Sequence, residues 1–364
     1  MSDSIATVAI FVLHRTSRFL ARPRPLMRSR AHTRVGVATR LATALCLLLS
    51  GASAQAVPSS ASYLINTVPL GGNAYGDVVT VGDYVFAGVG SFGSNQIVRI
   101  APGGATTTIA TGFKSLSGFA YDAVNDRLII GDNFDSSTDT VYGLTNPVGF
   151  AGPPALASTL ELLPAGSIPG IADLAMDPND STGMTLFITD ATEAFPPLHG
   201  AVLEVVLGTS LSTIFEVGTG WFAGGVAASS STLFVGSSIF GTGGRIHTTS
   251  LPLPGGAPTV DFLVDTPNFL PGQFDLELEA DGNLLSTSVD QLVRIDPSNG
   301  NQSVLASGFG FATGLAVDDD GSIFVVDGIS LYKLTAVPEP ATGLLVSLGL
   351  IGIAGVSRRS RPKN

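Results

Sequence analysis

Three aspartates occupy matching places in a series of short apolar segments, a spacing that could bring carboxylates together. Asp77, Asp173 and Asp275 are each the second residue of such a segment, in "GDVVTV", "ADLAMD" and "FDLELE". Segments that alternate with these along the chain carry glycine at the same position, namely Gly118, Gly225 and Gly314. If the six segments surround a common axis, the three carboxylates converge on it from alternate directions.

Carboxylates that converge in this way could bind calcium. Oxygen ligands suit Ca²⁺, and carboxylates left unpaired close together raise one another's pKa. We therefore predict that Asp77, Asp173 and Asp275 bind Ca²⁺ or orient a ligand. The alternative is structural, because Asp and Gly both suit a tight entry into a strand, where an Asp side chain accepts loop N–H groups.

Other polar residues form weaker candidate sets. A second group of acids ends three later segments: Asp132, Asp190 and Asp327. For the histidines of the chain's central part, His199 and His247, we expect surface or structural roles. Residues 57–337 contain no Cys, no HExxH and no GxSxG, so they offer no assembled nucleophile or zinc site. The residues therefore favour a protein without catalytic activity.

A second set of six short apolar segments recurs at a spacing typical of β-propeller blades. These segments begin at residues 85, 128, 186, 233, 284 and 323. Each has a similar segment before it and another after it, rich in β-branched and aliphatic residues and divided by turns such as "DPND" and "DDDG". Four short strands in every 40–50 residues or so predict a propeller blade.

The two ends of the repeat region predict how the ring closes. A fourth strand follows five of the six units, but the sixth runs directly into "AVPEP", while "SYLINTV" at 62–68 is a strand without a unit. We expect these two to pair, because an unclosed ring would leave exposed strand edges. The prediction is an all-β protein with one six-bladed propeller over residues 57–336. A seven-bladed ring or a β-sandwich is the alternative.

Charge is distributed unevenly along the chain. Residues 57–337 hold 27 Asp and Glu against six Lys and Arg, whereas residues 1–56 hold eight Arg and one Asp. An acidic body of this kind repels nucleic acid and anionic lipid and attracts cations. We therefore exclude nucleic acid as a partner.

Residues 1–56 are typical of an N-terminal extension followed by a secretory signal peptide. From Met27 onward the chain has a basic region, an apolar stretch at Leu41–Leu49 and small residues with Ala54 and Ala56 in an A-x-A arrangement, the predicted cleavage site. Because residues 1–26 do not fit in front of such a signal, Met27 is the expected true start; a genuinely long signal or a buried helix is the alternative. Nine apolar residues are too few to span a bilayer.

The C-terminal residues 337–364 are typical of a second targeting signal. Val337, Pro338, Glu339 and Pro340 precede an uncharged run of 16 residues, which is at the lower limit for a transmembrane helix, and then Arg358 and Arg359. This order resembles the PEP-CTERM sorting signal. The resemblance implies that an exosortase of a Gram-negative bacterium recognises and cleaves the tail, so that the membrane holds only an intermediate. An ordinary single-pass tail anchor is the alternative.

The repeats themselves are similar to six-bladed propellers of the NHL and SMP-30/gluconolactonase type, best in "GLAVDDDGSIFVVD" and "LVRIDPSNG". Metal-dependent lactonases of that type hold a tunnel metal with Glu and Asn as well as Asp. No Glu matches at the first blade here, and only Asn133 lies near a suitable place. We therefore predict an exported protein of the cell surface or extracellular matrix, with a non-catalytic propeller that binds a ligand such as exopolysaccharide. An extracellular metal-dependent lactonase is the alternative.

Overall fold

The computed structural model describes residues 58–337, apart from 92, 134–138, 153–154, 156–158, 169, 192–199, 218–220, 240–242, 254–259, 267–274 and 289. The predicted signal peptide, its cleavage site at Ala54 and Ala56, and the predicted transmembrane helix lie outside the described residues. No helix of the described part of the chain has the length and apolarity needed to cross a membrane.

The described residues form six four-stranded antiparallel sheets arranged as the blades of a propeller. Blade 1 contains β2 (Ala74–Val81), β3 (Tyr84–Ser91), β4 (Ser94–Ile100) and β5 (Thr106–Phe113). Blade 2 contains β6 (Leu116–Asp122), β7 (Arg127–Asp132), β8 (Thr140–Thr145) and β9 (Leu160–Leu163). Blade 3 contains β10 (Ile171–Met176), β11 (Thr185–Asp190), β12 (Ala201–Val206) and β13 (Ser210–Glu216).

The second half of the ring follows the same plan. Blade 4 contains β14 (Phe222–Ala228), β15 (Thr232–Ile239), β16 (Gly243–Ser250) and β17 (Val260–Thr266). Blade 5 contains β18 (Leu276–Leu278), β19 (Leu284–Thr287), β20 (Gln291–Ile295) and β21 (Gln302–Ser307). Blade 6 contains β22 (Gly314–Val317), β23 (Ile323–Val326), β24 (Leu331–Ala336) and, from the N-terminus, β1 (Tyr63–Val68). The six-bladed all-β prediction is confirmed.

Apolar packing between neighbouring blades holds the ring together. Each hydrophobic cluster combines residues from two adjacent blades, as when Val78 and Val89 of blade 1 pack with Phe324 of blade 6. The second strand of a blade is covered on both faces, and all four residues of β23 are buried. Continuous apolar runs are the pattern expected of strands buried on both sides, which explains why these segments were the clearest repeat in the sequence.

The N-terminal strand closes the ring, as predicted. β1 pairs antiparallel with β24 from Tyr63 opposite Ala336 to Val68 opposite Leu331. The residues before β1 continue to blade 5, where Ser59 and Ser307 exchange backbone hydrogen bonds of 2.8 and 3.0 Å. The N-terminal segment therefore fastens blade 6 and also the outer edge of blade 5.

The chain leaves the propeller at a defined end of the ring. Leu334, near the end of β24, lies opposite Ile323 at the start of β23, so the exit is beside the turn that joins β22 to β23. Lys333 of β24 and Asp320 of that turn form an ion pair of 3.7 Å. Each first strand ends at the corresponding turn of its blade, so the beginnings of β2, β10 and β18 lie at the opposite end of the ring.

Candidate functional site

The three predicted aspartates lie at equivalent places on the inner strands of blades 1, 3 and 5. Asp77 is within β2, Asp173 is within β10, and Asp275 immediately precedes β18. All three are buried, with exposed fractions of 5, 3 and 5%. The structure therefore brings together the three carboxyl groups that the repeat pattern singled out.

Each of these carboxyl groups binds the backbone of the next blade. Asp77 accepts the N–H of Phe119 in blade 2 at 2.6 Å, and Asp173 accepts the N–H of Val226 in blade 4 at 2.7 Å. Asp275 accepts the N–H of Leu315 in blade 6 at 2.5 Å. A buried N–H without a partner costs about 1–3 kcal/mol, so these bonds satisfy groups that would otherwise destabilise the ring.

Two of the aspartates also hold their own strand. The second oxygen of Asp77 accepts the N–H of Val78 at 2.7 Å, and that of Asp173 accepts the N–H of Leu174 at 2.8 Å. One carboxyl group thus bridges two blades through two backbone amides. We call the hydrogen bond from each of the three aspartates to the backbone of the next blade an interblade bridge.

In blades 2, 4 and 6 a glycine occupies the position equivalent to these aspartates, and the backbone of the following blade lies close to it. A Cβ on Gly118 would lie 2.6 Å from Cα of Asp173, and one on Gly225 would lie 2.5 Å from the carbonyl carbon of Asp275. A Cβ on Gly314 would lie 2.8 Å from Cα of Asp77. Glycine is therefore required where the backbone of the following blade approaches. The alternation of acid and glycine in the sequence reflects packing around a closed ring.

The carboxyl groups interact with each other across the tunnel. Burial is the largest cause of the raised pKa values of Asp77 and Asp275. It raises the pKa of Asp77 to about 7 and that of Asp275 well above its usual value, and the charges of Asp77 and Asp173 raise the pKa of Asp275 further. Burial and then the charge of Asp77 raise the pKa of Asp173 well above its usual value. At neutral pH the group therefore holds protons.

These residues line a cavity of about 270 Å³ on the axis of the ring. Its other lining residues are mainly aliphatic, with Thr80, Tyr121 and Met176 among those of the inner strands. One further carboxyl group, that of Glu277, also faces it. Among the described residues, no Asn or Gln side chain contributes to the lining.

Glu277 is the tunnel residue that sequence reasoning missed. It lies two residues after Asp275 on β18, where the equivalent residues of the other blades are Val79 and four alanines (Ala120, Ala175, Ala227 and Ala316). Burial, and then the charge of Asp77, raise its pKa to about 8. Side chains two residues apart in a strand lie on the same face. The spacing of Asp275 and Glu277 in "FDLELE" therefore could have predicted that Glu277 faces the tunnel.

The predicted calcium site fits this arrangement poorly. Both oxygens of Asp77 and of Asp173 already accept a backbone N–H, as does one oxygen of Asp275. Within the described residues, no three or more His, Cys, Asp or Glu side chains are arranged to hold a metal ion. Calcium prefers six to eight oxygen ligands, often with amide or carbonyl groups among them. The site remains a prediction.

The second set of acids also hydrogen-bonds backbone groups. Asp132 accepts the N–H groups of Lys114 and Ser115 at 3.0 and 2.7 Å, so it fastens the connection that enters blade 2. Asp327 accepts Ser330 N–H at 2.8 Å and Gly310 N–H at 3.2 Å. Asp190 ends β11. Asp132 and Asp327 therefore position loops.

The remaining candidate residues are placed as follows. His247 lies on β16, where its Nε2 is 2.8 Å from the Ser237 hydroxyl, and burial lowers its pKa. Ser237 is fully buried, so this pair is structural, whereas His199 lies outside the described residues. The side-chain amide of Asn133 donates to the carbonyl of Ile171, and its Oδ1 is buried without a partner among the described residues.

Comparison with solved structures agrees with the fold. A gluconolactonase from Xanthomonas campestris is 16% identical with a TM-score of 0.58, covering 76% of this chain and 90% of its own. A calcium-binding protein, regucalcin, from Agrobacterium tumefaciens is 15% identical with a TM-score of 0.53, covering 77% of this chain and 97% of its own. A luciferin-regenerating enzyme is 12% identical with a TM-score of 0.54, covering 76 and 96%. The chain is thus a six-bladed propeller with neighbours of the SMP-30/gluconolactonase type.

Residues 336–359 match the PEP-CTERM protein-sorting motif. This match confirms the resemblance seen in Val337, Pro338, Glu339 and Pro340 and in the arginines that follow. The motif indicates an exported precursor, anchored in the membrane of a Gram-negative bacterium and processed by exosortase. No curated protein sequence matches the chain.

Proposed function

We propose that this protein is delivered by exosortase to the cell surface or extracellular matrix, where its propeller serves as a non-catalytic binding module for exopolysaccharide. The observation that carries the proposal is the position of the sorting motif. It begins at residue 336, which is also the last residue of β24. The last strand of the propeller is complete at that point, so removal of the residues after Val337 takes no strand from the fold.

The interblade bridges support the non-catalytic part of this proposal. Asp77, Asp173 and Asp275 each accept a backbone N–H of the following blade, which gives all three a structural role in the ring that requires no catalysis. Asp132 and Asp327 hold loops in the same way. A rigid ring of this kind suits a scaffold whose loops bind a ligand.

The sorting half of the proposal is tested in cells with and without exosortase. The expected result is a surface or matrix protein that lacks the peptide containing Arg358 and Arg359, and a membrane-retained precursor when exosortase is deleted. A variant with Glu339→Ala and Pro340→Ala is the matched control and should behave like the deletion. Mature protein that retains both arginines in the presence of exosortase would contradict the proposal.

The binding half is tested on the processed protein with purified exopolysaccharide. Isothermal titration in calcium and in chelator, with an unrelated neutral polysaccharide as the control, separates specific binding from bulk effects. Saturable binding that the control lacks is the expected result. No heat of binding in either buffer would reject exopolysaccharide as the ligand.

A lactonase is the second candidate, because Asp77, Asp173, Asp275 and Glu277 meet in one cavity and two of the solved neighbours above are a gluconolactonase and a regucalcin. Hydrolysis of gluconolactone in the presence of Mg²⁺, Ca²⁺ or Zn²⁺ tests it. Activity that requires metal and disappears in Asp173→Asn would favour the enzyme. Hydrolysis no faster than the buffer blank favours the binding module.

A further inference from the structure

The closing strand holds the first residues of the sorting motif. Val337 is the first residue after β24, and its N–H donates to the carbonyl of Ser62 at 2.9 Å. Ala336 lies opposite Tyr63 in the register of β1 and β24. The matched motif starts at residue 336, so no spacer separates the folded ring from the signal that the processing enzyme reads.

This end of β24 is fastened on one side only. Pairing between β23 and β24 stops at Ile323 opposite Leu334, so Thr335 and Ala336 are paired with β1 alone. Both are exposed, and Val337 has half of its surface exposed. Leu331 to Leu334, in contrast, lie between two strands. The end of β24 is therefore held by pairing on one side only, and the sorting motif begins at its last residue, Ala336.

The β1 side of the contact is better anchored. The Ser60 hydroxyl accepts the N–H groups of Ser62 and Tyr63, both at 3.1 Å, and donates to the carbonyl of Leu305 in blade 5 at 2.5 Å. The Tyr63 hydroxyl accepts a hydrogen bond of 3.0 Å from Arg294. When the contact opens, the end of β24 is the part that separates.

We propose that the corner formed by Ser62, Tyr63, Ala336 and Val337 is where the folded propeller meets its processing enzyme, and that the end of β24 must separate from β1 before the tail is removed. This inference rests on the proposed sorting by exosortase. Enzymes that cut peptide bonds need a segment of free chain, which a folded substrate supplies by local opening. Pro338 has no N–H to continue the ladder, so N–H donation to β1 ends at Val337, the second residue of the motif.

Two engineered disulfides test the inference in the full-length precursor. Leu64→Cys with Thr335→Cys fastens an exposed register pair next to the corner, and Asn66→Cys with Lys333→Cys fastens the next outward pair, farther from it. Directly opposed strand residues have Cα separations that a disulfide can bridge. The one native cysteine, Cys46, lies in the predicted signal peptide.

The expected result is that the Leu64–Thr335 pair slows removal of the tail at least tenfold, while the Asn66–Lys333 pair leaves the rate unchanged. Dithiothreitol added to the cells should restore processing of the first variant. Removal is followed by the mass of the C-terminal peptide over time. Processing of the oxidised Leu64–Thr335 variant at the wild-type rate would overturn the inference, as would equal slowing by both pairs. Failure to process the wild-type chain would instead reject the sorting proposal.

Discussion

The carboxyl group of Asp77 in blade 1 accepts the backbone N–H of Phe119 in blade 2 at 2.6 Å, although the two residues are 42 positions apart in the sequence. The same bond recurs between Asp173 and Val226 and between Asp275 and Leu315. Three side chains thus link the six inner strands in pairs, and three glycines allow the pairs to meet.

Loss of one interblade bridge should destabilise the propeller. Asp173→Ala leaves the buried N–H groups of Leu174 and Val226 without acceptors, and we expect a loss of about 2–4 kcal/mol in the free energy of unfolding. Asp173→Asn keeps one acceptor oxygen and should lose less. Urea denaturation measures both. Equal stability of Asp173→Ala and wild type would show that the bridge contributes nothing.

Calcium should not change the stability of the wild-type propeller. A ligand that binds only the folded state raises the melting temperature, and the oxygens of the bridging aspartates already have backbone partners. Thermal melts in millimolar calcium and in chelator should coincide for wild type and for Asp173→Asn. A calcium-dependent rise in wild type that Asp173→Asn lacks would establish the metal site predicted from the sequence.

The glycine at the close approach should not tolerate a methyl group. In Gly118→Ala the new Cβ would lie 2.6 Å from backbone atoms of blade 3, and overpacking of this kind costs about 1–3 kcal/mol. Gly103→Ala is the control, because nothing lies within 4 Å of a Cβ at that turn position. Chemical denaturation should separate the two variants, and a stable Gly118→Ala would mean that the blades can move apart freely.

Stability should fall as the pH rises from about 5 to 8. The folded-state pKa values of Asp77 and Glu277, about 7 and about 8, lie above the values of 3.8 and 4.5 expected when unfolded. In this window the folded protein binds more protons than the unfolded chain, so raising the pH favours unfolding. Melting temperatures measured across the window should decline.

Glu277→Gln identifies the source of this decline. The substitution removes one titrating group from the tunnel, so the variant should show a smaller slope and a higher melting temperature than wild type at pH 8, by roughly 3 °C or more. Asp83→Asn, on an exposed turn, is the control. An unchanged slope in Glu277→Gln would mean that Glu277 ionises normally in the fold.

One buried ion pair fixes the turn between β6 and β7. Arg127 binds Asp122 with two hydrogen bonds of 3.1 and 2.7 Å, and the Asp122 side chain has no exposed surface. Arg127→Ala leaves this charge without its cation and should cost about 3–5 kcal/mol. Arg127→Lys, which keeps the charge, should recover part of the loss. Denaturation midpoints that do not differ would contradict the role of the pair.

Much of the fold could be predicted because each blade repeats a local pattern. Apolar runs such as those of β7 and β23 mark strands buried on both faces, and "SYLINTV" without a unit predicted the closing strand β1. The equivalence of Asp77, Asp173 and Asp275 followed from aligning these segments. Local patterns were sufficient for elements and for their order.

The contacts between blades could not be predicted in the same way. Nothing in the sequence near Asp173 identifies the N–H of Val226, 53 residues later, as its partner. The bond between Ser59 and Ser307 likewise depends on how blade 5 and the N-terminus meet in space. The role of each acid therefore had to come from the closed ring, where the backbone of one blade supplies the partner for the next.

The ring's two ends have different neighbours in the unprocessed protein. The chain leaves at Val337, beside the turn between β22 and β23, while the first residues of the inner strands lie at the other pole. A tether at one pole sets the orientation of a protein on its bilayer without any contact between the body and lipid. Molecules that arrive from the medium would therefore encounter the far pole first, and this polarity is already fixed when β1 closes the ring.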